Sequence, residues 1–205
     1  MGYIERLAEA YERGYEMKYG ATSERPEKKL YYFKEKPEMA RVQAVLGFLR
    51  GIVPAGQCES LLDVGSGRGA FLFPLLRDFP WLEVTSVDIL PHRIELLECL
   101  SIGGIANLHP ILCDICHSSL PDKMVDVVTM LEVLEHIPDT AKAVGEAVRL
   151  ARNFVIVSVP SKPDDNPEHI HLFTAADLER YFMDAGARKV KFMSVAGHHV
   201  MAAYL

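Results

Sequence analysis

Long apolar runs are missing from this 205-residue sequence. No stretch reaches the roughly 18 unbroken apolar residues that a membrane-spanning helix needs. The opening segment, MGYIERLAEAYERGYEMKYG, is charged and amphipathic, so no secretory leader is expected there. Gly2 follows Met1, but Arg6 stands where a myristoylation signal needs Ser or Thr. Cysteine is scarce, with four residues, and these are expected to be reduced thiols in a cytoplasm. A basic surplus is absent: 22 Lys and Arg face 28 Asp and Glu, a formal charge of -6. That balance argues against a dedicated binder of nucleic acid or of an anionic membrane, so neither partner is expected. Glycine (14) and proline (12) are scattered without period, which excludes collagen-like and long disordered chains. What remains is ordinary for a globular protein, 49% hydrophobic and 24% charged. The length suits one α/β domain with a helical appendage and a sizeable core.

Residues 1 to about 50 place apolar side chains at helical spacing. Ile4, Leu7, Ala8, Tyr11 and Tyr15 make one stripe, interrupted by Gly14 and ended by Gly20. After Pro37, Met39, Val42, Val45, Leu46 and Leu49 make a second, ended by Gly51 and Pro54. Beyond that, strands are expected near 61–64, 83–87, 107–112, 124–130, 153–159, 188–194 and 198–204. Helices are expected near 68–78, 92–101, 139–151 and 174–185. Runs such as Phe154 to Val159 suit a sheet buried on both faces. The alternation predicts a doubly wound, mostly parallel sheet of seven strands. Only Ala196-Gly197 separates the last two, so they should form an antiparallel hairpin. Residues 1–55 would be an N-terminal helical cap folded over the carboxyl rim as a lid, with 56–205 as the catalytic domain of one compact unit. Tyr31-Tyr32-Phe33 would then serve either the acceptor pocket or plain packing.

One segment carries the strongest chemical signal. Leu61-Leu62-Asp63-Val64-Gly65-Ser66-Gly67-Arg68-Gly69-Ala70 reads as a strand, a glycine-rich turn and a helix start. Glycines let the backbone approach a ligand closely, and a helix N-terminus favours negative groups. Gly65, Gly67 and Ala70 also satisfy the dinucleotide pattern G-x-G-x-x-[GA], which keeps an NAD-binding oxidoreductase open. Asp63, at the end of the first strand, can order the loop. Asp88 ends the second strand about twenty residues on, where a carboxylate can accept from a ribose diol. Asp114 ends the third strand and could accept from a purine amine. Cys113-Asp114-Ile115-Cys116-His117 spells the c-type haem pattern, but that attachment normally occurs outside the cytoplasm. With no second C-x-x-C for zinc, two structural cysteines are expected.

Leu61 to Ala70, Val87-Asp88-Ile89, Cys113-Asp114-Ile115 and Val125 to Asp139 resemble the successive motifs of class I S-adenosylmethionine-dependent methyltransferases. The resemblance covers roughly residues 58–205, and the fold it implies is Rossmann-like. It implies S-adenosylmethionine as cofactor, with the glycine loop at its methionine part, Asp88 at the ribose and Asp114 beside the adenine. The implied contact set is Asp63, Gly65, Gly67, Asp88, Ile89, Asp114, Ile115 and Leu131. One departure is visible: Leu150-Ala151-Arg152-Asn153 replaces the usual Lys-Pro-Gly-Gly turn before the fifth strand. The acceptor implied is a small molecule, at an oxygen, nitrogen or carbon that the sequence leaves open. A sulfonium methyl is already activated, so alignment matters most, and a base is needed only if the acceptor must lose a proton.

After the fourth strand, Glu132, Glu135 and His136 fall at i, i+3 and i+4, on one side of a helical turn at the ligand rim. The loop 161–174 after the fifth strand adds His169 and His171. E-x-x-E-H with a distant histidine is similar to the metal site of small-RNA 2′-O-methyltransferases, which implies Glu132, Glu135, His136 and His171 as ligands. The alternative is a metal-free turn lining the cofactor, with His136 and Glu135 as catalytic groups. A non-catalytic cofactor-binding protein is the remaining reading. His198 and His199 alternate along the last strand and should face opposite sides.

Overall fold

Residues 2–21, 39–54, 56 and 58–205 are described by the computed structural model. Seven strands form one sheet: β1 (Ser60–Val64), β2 (Glu83–Asp88), β3 (Leu108–Leu112), β4 (Val125–Leu131), β5 (Ala151–Pro160), β6 (Lys189–Val195) and β7 (His198–Tyr204). Their order is β3-β2-β1-β4-β5-β7-β6. The first five pair in parallel, and β7 runs antiparallel between β5 and β6. The expected hairpin is present, turning at Gly197 with φ +76°. The sheet order reverses between β1 and β4, the place where open α/β folds bind ligands.

Alternation along the strands feeds two cores. Leu61, Val84, Val127, Ile156 and Ala202 pack on one face with α1 (Tyr3–Tyr19), α2 (Ala40–Ile52), α3 (Leu72–Asp78) and α4 (Pro91–Ile102). Leu62, Val64, Val128, Met130, Val155 and Met201 pack on the other with α5 (Thr140–Leu150) and α6 (Ala175–Asp184). The helices start where local chemistry directs. Pro91 opens α4, Asp139 accepts from Lys142 N ahead of α5, and Thr174 and Asp177 make a reciprocal cap on α6. Two boundaries differ from the sequence expectation. The helix expected from 68 begins at Leu72, because Gly67 and Gly69 hold positive φ and keep the turn out of the helix. The strand expected from 153 begins at Ala151, directly after α5, with Leu150 and Ala151 both buried.

Helix α1 lies along α4, antiparallel to it, and not across the carboxyl rim. Arg13 donates to Gly103 O, Lys18 pairs with Glu98 at 2.5 Å, and the Tyr19 hydroxyl donates to Glu95. The first turn of α2 reaches the rim through Arg41 beside Glu132. The run Tyr31 to Phe33 lies outside the described residues. Contact between α1 and α4 is close because two glycines face it. A Cβ on Gly14 would stand 1.8 Å from Cys99 O, and one on Gly103 would stand 1.7 Å from Ala10 O. Gly14→Ala and Gly103→Ala should therefore each lower stability by roughly 1–3 kcal/mol, the range for overpacking. Gly47→Ala, with nothing within 4 Å of its Cβ, should raise it by about 0.5–1 kcal/mol. Urea unfolding of the three variants checks both signs.

Candidate active site

The glycine loop is held from beneath by a buried carboxylate. Register sets Asp63 of β1 beside Ser86 of β2 and Thr129 of β4. All three side chains point to the α1–α4 face, and all are buried. Asp63 accepts from Thr129 Oγ1 at 2.7 Å and from Ser66 Oγ at 2.5 Å. Ser66 also meets Ser86 Oγ at 2.6 Å. Burial pushes the Asp63 carboxyl up to about 6, against the two donors, with the Asp88 charge adding to the rise. Above this tie the backbone turns through Gly65 and Gly67 at φ +66° and +56°. Gly65 is also sterically required: a Cβ there would meet Val133 Cγ2 at 2.8 Å.

Asp88 ends β2 facing this loop. Its Oδ1 accepts from Leu90 N at 2.9 Å, which fixes the carboxylate and leaves Oδ2 without a partner among the described residues. The surrounding ledge is apolar and exposed: Ile89 is 64% accessible and Leu112 is 54%. A planar apolar ligand would cover such side chains. Asp114 is committed differently from expectation. It caps the short turn Ile115–His117, accepting from Cys116 N at 2.9 Å and pairing with His117 Nδ1 at 2.8 Å. The His117 hydrogen bond holds its carboxyl below the usual range. A purine amine would compete with these bonds. Ile115 is buried, and Leu131 closes β4 half-buried beside the loop. All four cysteines are unpaired thiols, and Cys116 is buried.

After β4 the chain departs from a plain helical turn. Glu132 adopts φ +58°, a left-handed conformation costly for a residue with a side chain. That reversal sends its carboxylate away from Glu135. It accepts from Ser158 Oγ at 2.7 Å and pairs with His198 at 3.3 Å and Arg41 at 3.7 Å. His199 packs on Phe192, so the two histidines do face opposite sides. Glu135 and His136 follow on a short 3-10 turn, Leu134–His136. Glu135 is fully buried, and among the described residues neither carboxylate oxygen has a hydrogen-bond partner. Burial pushes its carboxyl up to about 8. The loop after β5 is tied to this turn by Ile170 N and His171 N, both donating to Glu135 O. It brings His169, whose ring centroid lies 4.8 Å from that of His136. The four-residue ligand set implied by resemblance is thus not assembled: Glu132 turns to β5 and β7, and His171 Nε2 turns to Ile137 O. Glu135, His136 and His169 come together instead. The sequence offers His169 and His171 alike, and the expected set took His171; which of them reaches Glu135 depends on the loop's path, which no local pattern encodes.

Residues 62–156 match the profile of a methyltransferase domain family. That match covers a little under half of the chain and makes this segment similar to methyltransferase domains. It is 31% identical over 83 residues to O-methyltransferase 3 of Dictyostelium discoideum, covering 38% of this chain and 19% of that protein. It is 31% identical over 96 residues to the ubiquinone biosynthesis O-methyltransferase of Sodalis glossinidius, covering 46% of this chain and 37% of that protein. The aligned segments are thus well under two thirds of either relative. In fold it is similar to a SAM-dependent methyltransferase from Aquifex aeolicus, with TM-score 0.64, 20% identity, and coverage of 88% of this chain and 98% of the other. The loop over Asp63, the Asp88 carboxylate and the Ile89–Leu112 ledge lie side by side at the carboxyl ends of β1, β2 and β3, next to the switch point. The Glu135–His136 turn stands beside them, at the end of the adjacent strand.

The buried Asp63 makes stability depend on pH. Its folded pKa is raised above the unfolded value, so the stability it contributes is full below about pH 4. It is lost as pH rises through about 6, an effect of roughly 3 kcal/mol by pH 8. Asp63→Asn should therefore gain on the wild type by up to that amount between about pH 4 and pH 8. Urea midpoints across that range test it, and parallel curves would contradict a raised Asp63.

Proposed function

We propose that this protein transfers the methyl group of S-adenosylmethionine to an oxygen of a small-molecule acceptor. The observation that carries this reading is the Asp88 carboxylate, fixed by Leu90 N on an exposed apolar ledge and facing a glycine loop tied down by Asp63. The free Asp88 oxygen suits a ribose hydroxyl, and Ile89 and Leu112 suit the faces of an adenine. Gly65 and Gly67 allow the backbone to approach the methionine part. Ile115 and Leu131 complete the proposed contacts, while Asp63 acts through the loop it holds and Asp114 through the short turn it caps. The two curated relatives named above are both O-methyltransferases, which supports an oxygen acceptor. An acidic chain with a formal charge of -6 fits a small acceptor better than a nucleic acid. The four free thiols fit a cytoplasmic setting.

The cofactor supplies an activated methyl group whose C–S bond electrons return to sulfur as the new O–C bond forms, leaving a thioether. The chain's own task is to align the acceptor and take its proton. His136 is placed for this. Its Nδ1 lies 3.0 Å from Glu168 O, and a carbonyl only accepts, so Nδ1 carries the hydrogen and Nε2 the lone pair. Glu135, held protonated near neutral pH by its burial, leaves proton acceptance to the imidazole.

Calorimetry should show S-adenosylhomocysteine binding and no comparable affinity for NAD. Asp88→Ala should weaken the former by roughly 10–100-fold, the worth of one or two hydrogen bonds to a charged group. Preferential NAD binding would overturn the reading. With a labelled cofactor and a screened acceptor, His136→Ala should lower kcat by roughly 10²–10⁴ and leave S-adenosylhomocysteine affinity intact. Cofactor binding without turnover on any acceptor would support the non-catalytic alternative.

A further inference from the structure

The rim turn Leu134–His136 and the loop 161–174 converge on three side chains that belong together chemically. One ligand atom from each of Glu135, His136 and His169 lies within 4.8 Å of the other two. Ligand atoms around a common ion, with bonds near 2.0–2.2 Å, stand roughly 3–3.6 Å apart, so the three atoms would draw together on binding one. Each imidazole is held by its Nδ1. His136 Nδ1 is 3.0 Å from Glu168 O, and His169 Nδ1 is 2.9 Å from Asp164 Oδ2. Among the described residues neither ring has a partner at Nε2, and each has the kind of outer contact that ligating histidines almost always make, a hydrogen bond for His136 and an ion pair for His169. The backbone reinforces the arrangement: Ile170 N and His171 N both donate to Glu135 O, locking the loop onto the turn.

The second observation is independent. Glu135 is 0% exposed, and among the described residues both its carboxylate oxygens lack a hydrogen-bond partner. A buried carboxyl without partners costs on the order of 1–3 kcal/mol and is rare in folded proteins. Hydrogen bonds within the protein do not offset that cost here. A cation bound between this carboxylate and two imidazoles would.

We propose that Glu135, His136 and His169 form a site for one divalent transition-metal ion, with Asp164 orienting His169 from outside. Two imidazole nitrogens and one carboxylate favour an ion of the zinc, cobalt or iron(II) kind over magnesium or calcium, which prefer all-oxygen sets. Three protein ligands leave at least one coordination position open. The ion's chemical role rests on the methyl-transfer reading above, whereas its binding does not. With the site empty, His136 Nε2 takes the acceptor's proton as above; with the ion bound, His136 would serve as ligand and the ion would raise the acidity of an acceptor hydroxyl, whose proton would leave to solvent.

The test uses the full chain, stripped with chelator, and reads binding directly. Calorimetry with Zn²⁺ should give one ion per chain, and Co²⁺ should give a visible absorption band of an N/O-coordinated centre. His169→Ala should lower Zn²⁺ affinity by at least about 10–100-fold, and Asp164→Asn by a smaller factor within that range. Glu132→Gln and His171→Ala should leave it unchanged. S-adenosylhomocysteine binding by each variant, measured alongside, shows that the variant is folded and tests the cofactor reading separately. The proposal is overturned if stripped protein binds no Zn²⁺ at one per chain, or binds Mg²⁺ in preference. It is equally overturned if folded His169→Ala binds Zn²⁺ as the wild type does, or if Glu132→Gln or His171→Ala abolishes binding.

Discussion

The Asp63 carboxylate is the tie on which the cofactor cleft depends. It is buried at the seam between β1 and β4, where the sheet order reverses, and it joins three elements. Thr129 fixes it to β4, Ser66 fixes it to the glycine loop, and Ser66 in turn reaches Ser86 on β2. Such a charge costs stability, as its raised pKa records. What it secures is the path of a loop that glycine alone leaves free. Gly65, Gly67 and Gly69 permit positive φ, but permission is not a unique conformation. The hydrogen bonds from Ser66 select one.

The same register explains why the tie is possible. On the α1–α4 face, each of three neighbouring strands carries an apolar residue low and a polar residue two positions higher: Leu61 and Asp63, Val84 and Ser86, Val127 and Thr129. A slip of one residue would bury Leu62 or Val128 there and turn the polar row to the α5–α6 face. The apolar row thus sets the register, and the register brings the polar row together. Packing and site are one constraint read at two heights in the sheet.

Much of this was legible in the sequence. The seven strands, their mostly parallel sheet, the hairpin at Ala196-Gly197 and the acidic strand ends follow from short apolar runs alternating with helical patterns and from glycine, which are local signals. Three features were not. Asp114 sits at its expected strand end, yet its carboxylate is consumed by Cys116 N and His117, a competition that only the short turn reveals. Glu132 sits at helical spacing from Glu135 and His136, yet a left-handed φ sends it to Ser158 and His198. Spacing predicts a shared face only while the backbone stays helical. Helix α1 reads as amphipathic, but its apolar stripe alone does not say which surface it will cover. Gly14 opposite Gly103 decides that, and the partner lies about ninety positions away.

Glu132 and Glu135 show how two carboxylates three residues apart take opposite parts. Glu132 is surrounded by donors and cations from α2, β5 and β7, so it anchors the first turn of α2 to the rim. Glu135 is buried beside His136 and His169, and among the described residues its carboxylate has no donor. The sequence offers them as an equivalent pair, E-x-x-E. The left-handed residue between strand and turn breaks that equivalence by rotating one out toward partners and the other inward. A site needs this kind of asymmetry. A carboxylate already paired with Arg41 and His198 has little left for a ligand, whereas an unpaired one beside two oriented imidazoles has its full capacity unspent. The backbone strain at Glu132 is thus what separates a structural carboxylate from a reactive one.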